Sequence, residues 1–198
     1  MTDAPREARI ERMTRETRIR LRLRLDGEGG HRIRTGIGFY DHLLAVFAFH
    51  ARFDLELECD GDVEIDDHHS VEDCALALGT AIDRALGERR GVVRFGSAYA
   101  PLDEALARAV VDLSGRPFAL VSLDLRRPQI GALACENIEH ALCSLAVAAR
   151  TTLHVDLLRG RNDHHKAEAA FKATALALRQ AVTWDPHGKV PSTKGSLT

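Results

Sequence analysis

Two short motifs carry donor atoms at a spacing that suits a metal ion. His68-His69-Ser70-Val71-Glu72 and His164-His165-Lys166-Ala167-Glu168 both read His-His-x-x-Glu at the expected start of a helix. Residues i and i+4 share a helix face, with Cβ atoms roughly 5–6 Å apart. His68 with Glu72, and His164 with Glu168, can therefore each hold an ion. His69 and His165 point about 100° away around the axis, and are expected to reach a second ion bound near the partner motif. Asp41-His42 and Glu139-His140 add an acidic-His pair ahead of each motif. Six histidines and two glutamates then divide into two sites of three His and one Glu. Such a shell suits Mn, Fe, Co, Ni or Zn rather than Mg or Ca. Four protein ligands leave an octahedral ion two open positions, which is a catalytic pattern. A lone histidine is ordinarily a surface or satisfied core residue, and His31, His50, His154 and His187 take that reading. The recurrence sets the other six apart.

The recurrence extends to the elements that must position these side chains. Asp67-His68-His69 returns as Asp163-His164-His165 and Glu72 as Glu168, a shift of 96 residues (164 − 68); His42 returns as His140, a shift of 98 (140 − 42). Duplication is sought before any fold, and here it implies two similar α/β halves, each a sheet covered on one side by helices. Residues 1–17 read as a polar N-terminal arm, with Arg6, Arg9, Arg12 and Arg15 solvated. Residues 18–98 form the first repeat, 99–190 the second, and 191–198 a C-terminal loop or tail. In the first repeat, residues 18–25 alternate strictly and read as a strand. The turn pair Asp26-Gly27 predicts a hairpin return over 31–34. A helix over 41–49, a strand over 53–58, a brief extension over 63–65 and a helix over 68–86 follow. The second repeat reads as strands over 109–113 and 118–125 joined by a turn, a helix over 139–150, a strand over 152–158 and a helix over 164–182.

Composition bounds the function class. The 198 residues are 45% hydrophobic and 28% charged, with net charge −2, so a soluble globular protein is expected and a strongly basic nucleic-acid footprint is not. Eight arginines precede residue 25, but four acidic residues are interleaved among them, which argues against nucleic-acid binding. No apolar run approaches the ~20 residues of a membrane span, and the N-terminus has no apolar signal region. Cys59, Cys74, Cys135 and Cys143 show no CxxC spacing and read as reduced thiols of a cytoplasmic protein.

Basic residues supply a second signal. All four lysines (Lys166, Lys172, Lys189 and Lys194) lie in the last 33 residues. Lys172 stands one turn beyond Glu168 on the same face, and Ser192-Thr193-Lys194-Gly195 has the small, polar make-up of a phosphate-holding loop. Arg116 sits in a Ser-Gly-Arg-Pro turn and Arg94 beside Phe95-Gly96. Arginine and lysine at close quarters are phosphate chemistry, although any one of them taken alone reads first as a solvated surface charge.

Gly36-Ile37-Gly38-Phe39-Tyr40-Asp41-His42, Ile65 to Asp73, Pro101 to Ala105, Asp112 to Pro117, Glu139-His140, Thr152-Leu153-His154, Asn162 to Glu168 and Ser192 to Gly195 follow one pattern. Together they resemble the imidazoleglycerol-phosphate dehydratases of histidine biosynthesis, from about Thr14 to Gly195. The resemblance implies an α/β fold, an α+β two-layer arrangement of internally duplicated left-handed βαβ units of the ribosomal protein S5 domain 2-like class. It implies two Mn²⁺ ions per active site, held by His42, His68, His69, Glu72, His140, His164, His165 and Glu168. It implies Glu16 as acid/base, and Arg94, Arg116, Lys172, Ser192 and Lys194 as phosphate contacts. Self-association into trimers and a 24-subunit particle, with active sites between subunits, is implied as well. The sequence departs from the family at Val46, where a polar side chain usually stands, and at Ala141-Leu142, where aromatics do.

The implied reaction dehydrates D-erythro-imidazole glycerol phosphate to imidazole acetol phosphate. Two ions gripping both ring nitrogens stabilise an imidazolate, which expels the hydroxyl to give a diazafulvene and acidifies the next C–H. A carboxylate, Glu16, then moves the proton. The alternatives are a dimetal phosphate-ester hydrolase and a protein whose metal serves only assembly.

Overall fold

A computed structural model describes residues 5–185 together with Ser192 and Leu197; Lys194 and most of the expected 191–198 tail lie outside the described residues. The first half runs β1 (Glu7–Met13), β2 (Thr17–Arg24), β3 (His31–Arg34), α1 (Gly38–Ala51), β4 (Asp54–Gly61) and α2 (His68–Leu86). The second runs β5 (Phe95–Leu102), β6 (Ala105–Asp112), β7 (Phe118–Ser122), a small hairpin of β8 (Gln129–Ile130) and β9 (Leu133–Ala134), α3 (Cys135–Ala148), β10 (Thr152–Arg159) and α4 (Asp163–Val182). The four-stranded sheets have equivalent orders, β1-β2-β4-β3 and β5-β6-β10-β7. In each, the last strand is antiparallel to its predecessor in the hairpin and parallel to the third strand. The duplicated two-layer α+β architecture expected from the motif spacing is thus present.

Each sheet buries one face under its own helices, and the halves meet helix to helix, α1 against α4 and α2 against α3. Ile19, Leu21 and Leu23 of β2, Leu55 and Leu57 of β4, and Leu43, Leu44 and Phe47 of α1 fill the first half of the core. Small residues let backbones approach. Gly79 of α2 abuts α3, where an added Cβ would collide with the Leu145 carbonyl and lie 2.7 Å from Ala148 Cβ.

The outward face of the first sheet explains its alternation. Arg18, Arg20, Arg22 and Arg24 lie directly opposite Asp60, Glu58, Glu56 and Asp54. Arg32 and Arg34 of β3 oppose Glu56 and Glu58 from the other side. Cross-strand opposite charges favour this register by about 0.2–1 kcal/mol each. The second sheet's outer face differs: Phe95, Tyr99, Phe118 and Leu120 are exposed there.

Several sequence expectations need correction, the extension over 63–65 among them, since those residues form a turn. Residues 7–13 are not part of a free arm but edge strand β1, with Ala8 and Ile10 buried. The arginine recurring every third residue masks the period of two. Arg6 is buried; it pairs with Asp26, donates to the Val182 carbonyl and stacks 4.4 Å from the Trp184 ring centroid. Arg12 pairs with Asp73 at 2.6 Å. The expected 31–34 return does not pair with β2, because β4 lies between them. The Asp54 carboxylate accepts from the Glu28 and Gly30 amides, carrying the connection across the end of β4. The strands over 109–113 and 118–125 likewise form no hairpin, since β10 separates β6 from β7. Finally, the boundary at 98/99 falls inside β5, a strand missed because its inward positions are Gly96, Ala98 and Ala100. They are kept small where α4 crosses: a Cβ on Gly96 would collide with the Ala177 carbonyl.

The metal-motif helices are pinned by buried polar links. Thr17 Oγ1 donates to Asp73 at 2.5 Å, tying β2 to α2. Lys166, 1% exposed, lies 2.9 Å from Asp163 and donates to the Asp124 carbonyl. Asp163 also accepts from the Arg126 and Arg127 amides. Burial opposes ionisation of Asp163, but Lys166 and those amides hold its pKa below the usual carboxylate range.

Two stability outcomes follow. A helical Gly→Ala change normally gains about 1 kcal/mol, whereas overpacking costs about 1–3 kcal/mol, so Gly79→Ala lowers the denaturation midpoint instead of raising it. Lys166→Met strands the buried Asp163 carboxylate. It costs about 3 kcal/mol, the low end for breaking a buried pair, because two backbone donors remain; Lys166→Met/Asp163→Asn recovers much of the loss in the same denaturant titration.

Candidate metal centre

The packing of α1 on α4 and of α2 on α3 creates two clusters, each drawing on both halves. His42 of α1 meets His164 and Glu168 of α4; His140 of α3 meets His68 and Glu72 of α2. In each cluster the three donor atoms lie within 4.8 Å of one another. His42 Nε2 is 2.8 Å and His164 Nε2 3.3 Å from Glu168 Oε2. His140 Nε2 is 3.2 Å from Glu72 Oε1, and His68 Nε2 3.9 Å from Oε2. Helix α4 starts where the Asn162 side chain accepts from the His164 amide, and α2 where Asp66 accepts from the His68 amide. Both motifs thus enter their helices with a histidine of the cluster on the first turn and the glutamate one turn later. Two imidazoles and a carboxylate converging in this way fit a borderline transition-metal ion.

The surroundings of the clusters differ. Glu168 is also bound by Lys172 Nζ at 2.7 Å. Burial pushes its pKa up, but Lys172 and His42 together bring it down to about 2. The Phe39 ring packs 4.8 Å from that of His164. In the other cluster the His68 and His140 rings stack at 4.9 Å, and Asn137 lies 2.9 Å from His68 Nδ1.

The even division into two sets of three histidines does not hold within one chain. His69 and His165 join neither cluster, because the next residue on a helix leaves the shared face. Their rings are 6.2 and 6.0 Å, centroid to centroid, from His68 and His164. Each is clamped through Nδ1, His69 by Asp62 at 3.1 Å and His165 by Glu104 at 2.7 Å. Those hydrogen bonds hold both imidazole pKa values above the ordinary value. Glu104 is itself held at about 2 by the Asn162 amide, His165 and the Arg161 amide. Glu16 lies beside His69, 3.7 Å from Nε2.

Of the basic residues singled out from the sequence, Lys172 alone touches a cluster among the described residues. Arg94 pairs with Asp112 at 2.7 Å, and its amide donates to the Ala181 carbonyl. Nine residues separate Ala181 from Lys172, about 14 Å of helix, so Arg94 and Lys172 form no common site within the chain. Arg116 occupies the Ser114–Pro117 turn, where a Cβ on Gly115 would collide with the Leu197 carbonyl. Arg94 and Arg116 thus share one end of the second sheet. Val46 stands one turn after His42, half-buried, and Ala141 and Leu142 are core residues. Asp62, Glu104 and Asn137 were not singled out from the sequence; the only signal for Glu104 was its place in the Pro101–Ala105 stretch.

The model of the imidazoleglycerol-phosphate dehydratase family matches residues 35–178. A relative of that name from Phytophthora nicotianae is 59% identical over 97% of this chain, which spans 42% of that relative's length. One from Kluyveromyces lactis is 50% identical over the whole of both chains. The crystal structure of the dehydratase from Staphylococcus aureus subsp. aureus N315 superposes with a TM-score of 0.82 at 35% identity, covering 90% of this chain and 99% of that one. This chain belongs to the imidazoleglycerol-phosphate dehydratase family.

Proposed function

We propose that this chain is a hydro-lyase of histidine biosynthesis. It removes water from D-erythro-imidazole glycerol phosphate to give imidazole acetol phosphate, with two Mn²⁺ ions at each active site. The observation that carries the reading is the pair of His₂Glu clusters, each with the adjacent histidine of its motif turned away. Clamped through Nδ1 by Asp62 and Glu104, His69 and His165 keep Nε2 for a ligand outside their own chain. The same histidines of neighbouring copies would restore three imidazoles and one carboxylate to each ion, with His42, His164 and Glu168 at one and His68, Glu72 and His140 at the other. When bound, the ions supply Lewis-acid stabilisation of charge at the substrate's ring nitrogens.

The remaining roles belong to this chain's own side chains. Glu16, 3.7 Å from His69 Nε2, travels with that histidine into the neighbour's site and serves as the base that takes the C–H proton and relays it. Lys172 meets the phosphate from the Glu168 side. Arg94 and Arg116 meet it from the end of the second sheet, again across a copy boundary, and Ser192 and Lys194 are proposed as further phosphate contacts; Lys194 lies outside the described residues. Together they position the carbon chain. Self-association into trimers and a 24-subunit particle agrees with the exposed Phe95, Tyr99, Phe118 and Leu120. Nucleic acid is not a proposed partner, since the arginines of β2 face carboxylates on β4. Among the described residues no helix is long and apolar enough to cross a membrane. The cytoplasm is the proposed compartment, on the four free thiols.

Synthetic imidazole glycerol phosphate gives the ketone with the Mn²⁺-reconstituted protein and none with the chelator-stripped protein; absence of turnover in a folded, metal-loaded sample overturns the substrate. His164→Ala loses bound metal, measured by elemental analysis, and lowers turnover by more than about 100-fold, beyond the 10–100-fold typical of losing an outer-shell partner. Near-normal metal content and turnover in that variant overturn the dimetal reading.

A further inference from the structure

The two clusters share a fold position but not a supporting shell, and the difference centres on Asn137. Its Oδ1 lies 2.9 Å from His68 Nδ1, and its Nδ2 donates to Asp67 Oδ1 at 2.9 Å. Asp67 is fixed in turn, its Oδ2 accepting from the Ala134 amide at 2.7 Å. A carboxylate only accepts, so Asp67 obliges the Asn137 amide to present NH₂ to it and the carbonyl oxygen to His68. That oxygen also only accepts, so His68 must carry its proton on Nδ1. Nε2 is then left with its lone pair, facing Glu72 and His140. The chain Ala134–Asp67–Asn137–His68 thus sets both ring orientation and tautomer.

The other cluster has no such device. The position 98 residues before Asn137 is Phe39 (137 − 98), which packs on His164 with a ring and offers no acceptor. Among the described residues, nothing accepts from His164 Nδ1. The carboxylates differ in the same direction. Glu168 shares its charge with Lys172 at 2.7 Å, whereas the position four residues after Glu72 is Leu76.

We propose that Asn137, backed by Asp67, is a positioning residue that holds His68 as a ready metal ligand and makes the two metal sites of this chain unequal. The site of His68, Glu72 and His140 fills first and more tightly; that of His42, His164 and Glu168 fills second. The inference rests on the dimetal reading above.

Calorimetric titration of Mn²⁺ into the chelator-stripped full chain resolves two classes of site in the wild type. Asn137→Leu weakens the tight class by about 10–100-fold, the usual cost of removing an outer-shell partner, and leaves the weak class in place. The double variant Asp67→Asn/Asn137→Asp exchanges the two side chains, supplies a donor and an acceptor for every hydrogen bond of the chain, and restores the tight class. Unchanged binding in Asn137→Leu overturns the proposal, as does equal weakening of both classes. Where Asn137→Leu does not fold, the exchanged variant decides alone: retention of the tight class supports the proposal, and a folded double variant without it overturns the proposal. A folded wild type that takes up no Mn²⁺ overturns the dimetal reading itself, an outcome distinct from two equal sites.

Discussion

The contact between the two halves is the constraint on which the rest depends. Among the described residues neither half assembles three donors alone: His42 must meet α4, and His140 must meet α2. The donor sets therefore exist only while α1 packs on α4 and α2 on α3. Buried side chains along these helices fix the approach at close-packed density, so a shift of one helix is resisted by many contacts at once. Gly79 sets one such approach by having no Cβ at all, at the contact of the two helices that carry His68, Glu72 and His140. Packing and chemistry are here the same set of contacts.

Buried polar links complete the placement. A buried ion pair contributes little net stability once desolvation is counted, so Lys166–Asp163 and Arg12–Asp73–Thr17 are better understood by what they join. Each connects the histidine-bearing end of α2 or α4 to a strand or connection that apolar packing alone would leave free to slide. At the sheet surfaces the same logic is external. The arginines of β2 find a carboxylate opposite each of them, and the strand register is fixed by charge on one face and apolar burial on the other.

Much of this was legible in the chain because repetition amplifies a weak signal. A single His-His-x-x-Glu says little; two copies 96 residues apart, each preceded by an acidic-His pair, select the helices and the faces on which the clustered side chains meet. The helical spacing of apolar positions marks α2 to the residue over 68–86 and α4 to within one residue over 164–182. Strand pairing was not legible, because a turn such as Asp26-Gly27 reports a change of direction and not the partner. That β4 inserts between β2 and β3 depends on contacts distant in sequence. The edge strands were lost for local reasons, arginine spacing in β1 and small inward residues in β5. His69 and His165 were read correctly as leaving their helix's shared face; the carboxylates that clamp them, Asp62 and Glu104, come from elsewhere in the chain and follow no periodic rule.

Duplication of a fold does not keep its two copies alike. Between β3 and α1 the chain takes three residues, whereas between β7 and α3 it takes twelve and forms the β8–β9 hairpin. That longer connection must be held down, and the buried Lys166 and Asp163 do so through Asp124 and the amides of Arg126 and Arg127. At the matching position of the first half stands Ser70, with no comparable connection to anchor. The hairpin then delivers Ala134 and Asn137 to Asp67, across the interface between the halves. An inserted hairpin in the second half therefore ends as the support of a histidine in the first, and the asymmetry of the two clusters follows from the length of one connection.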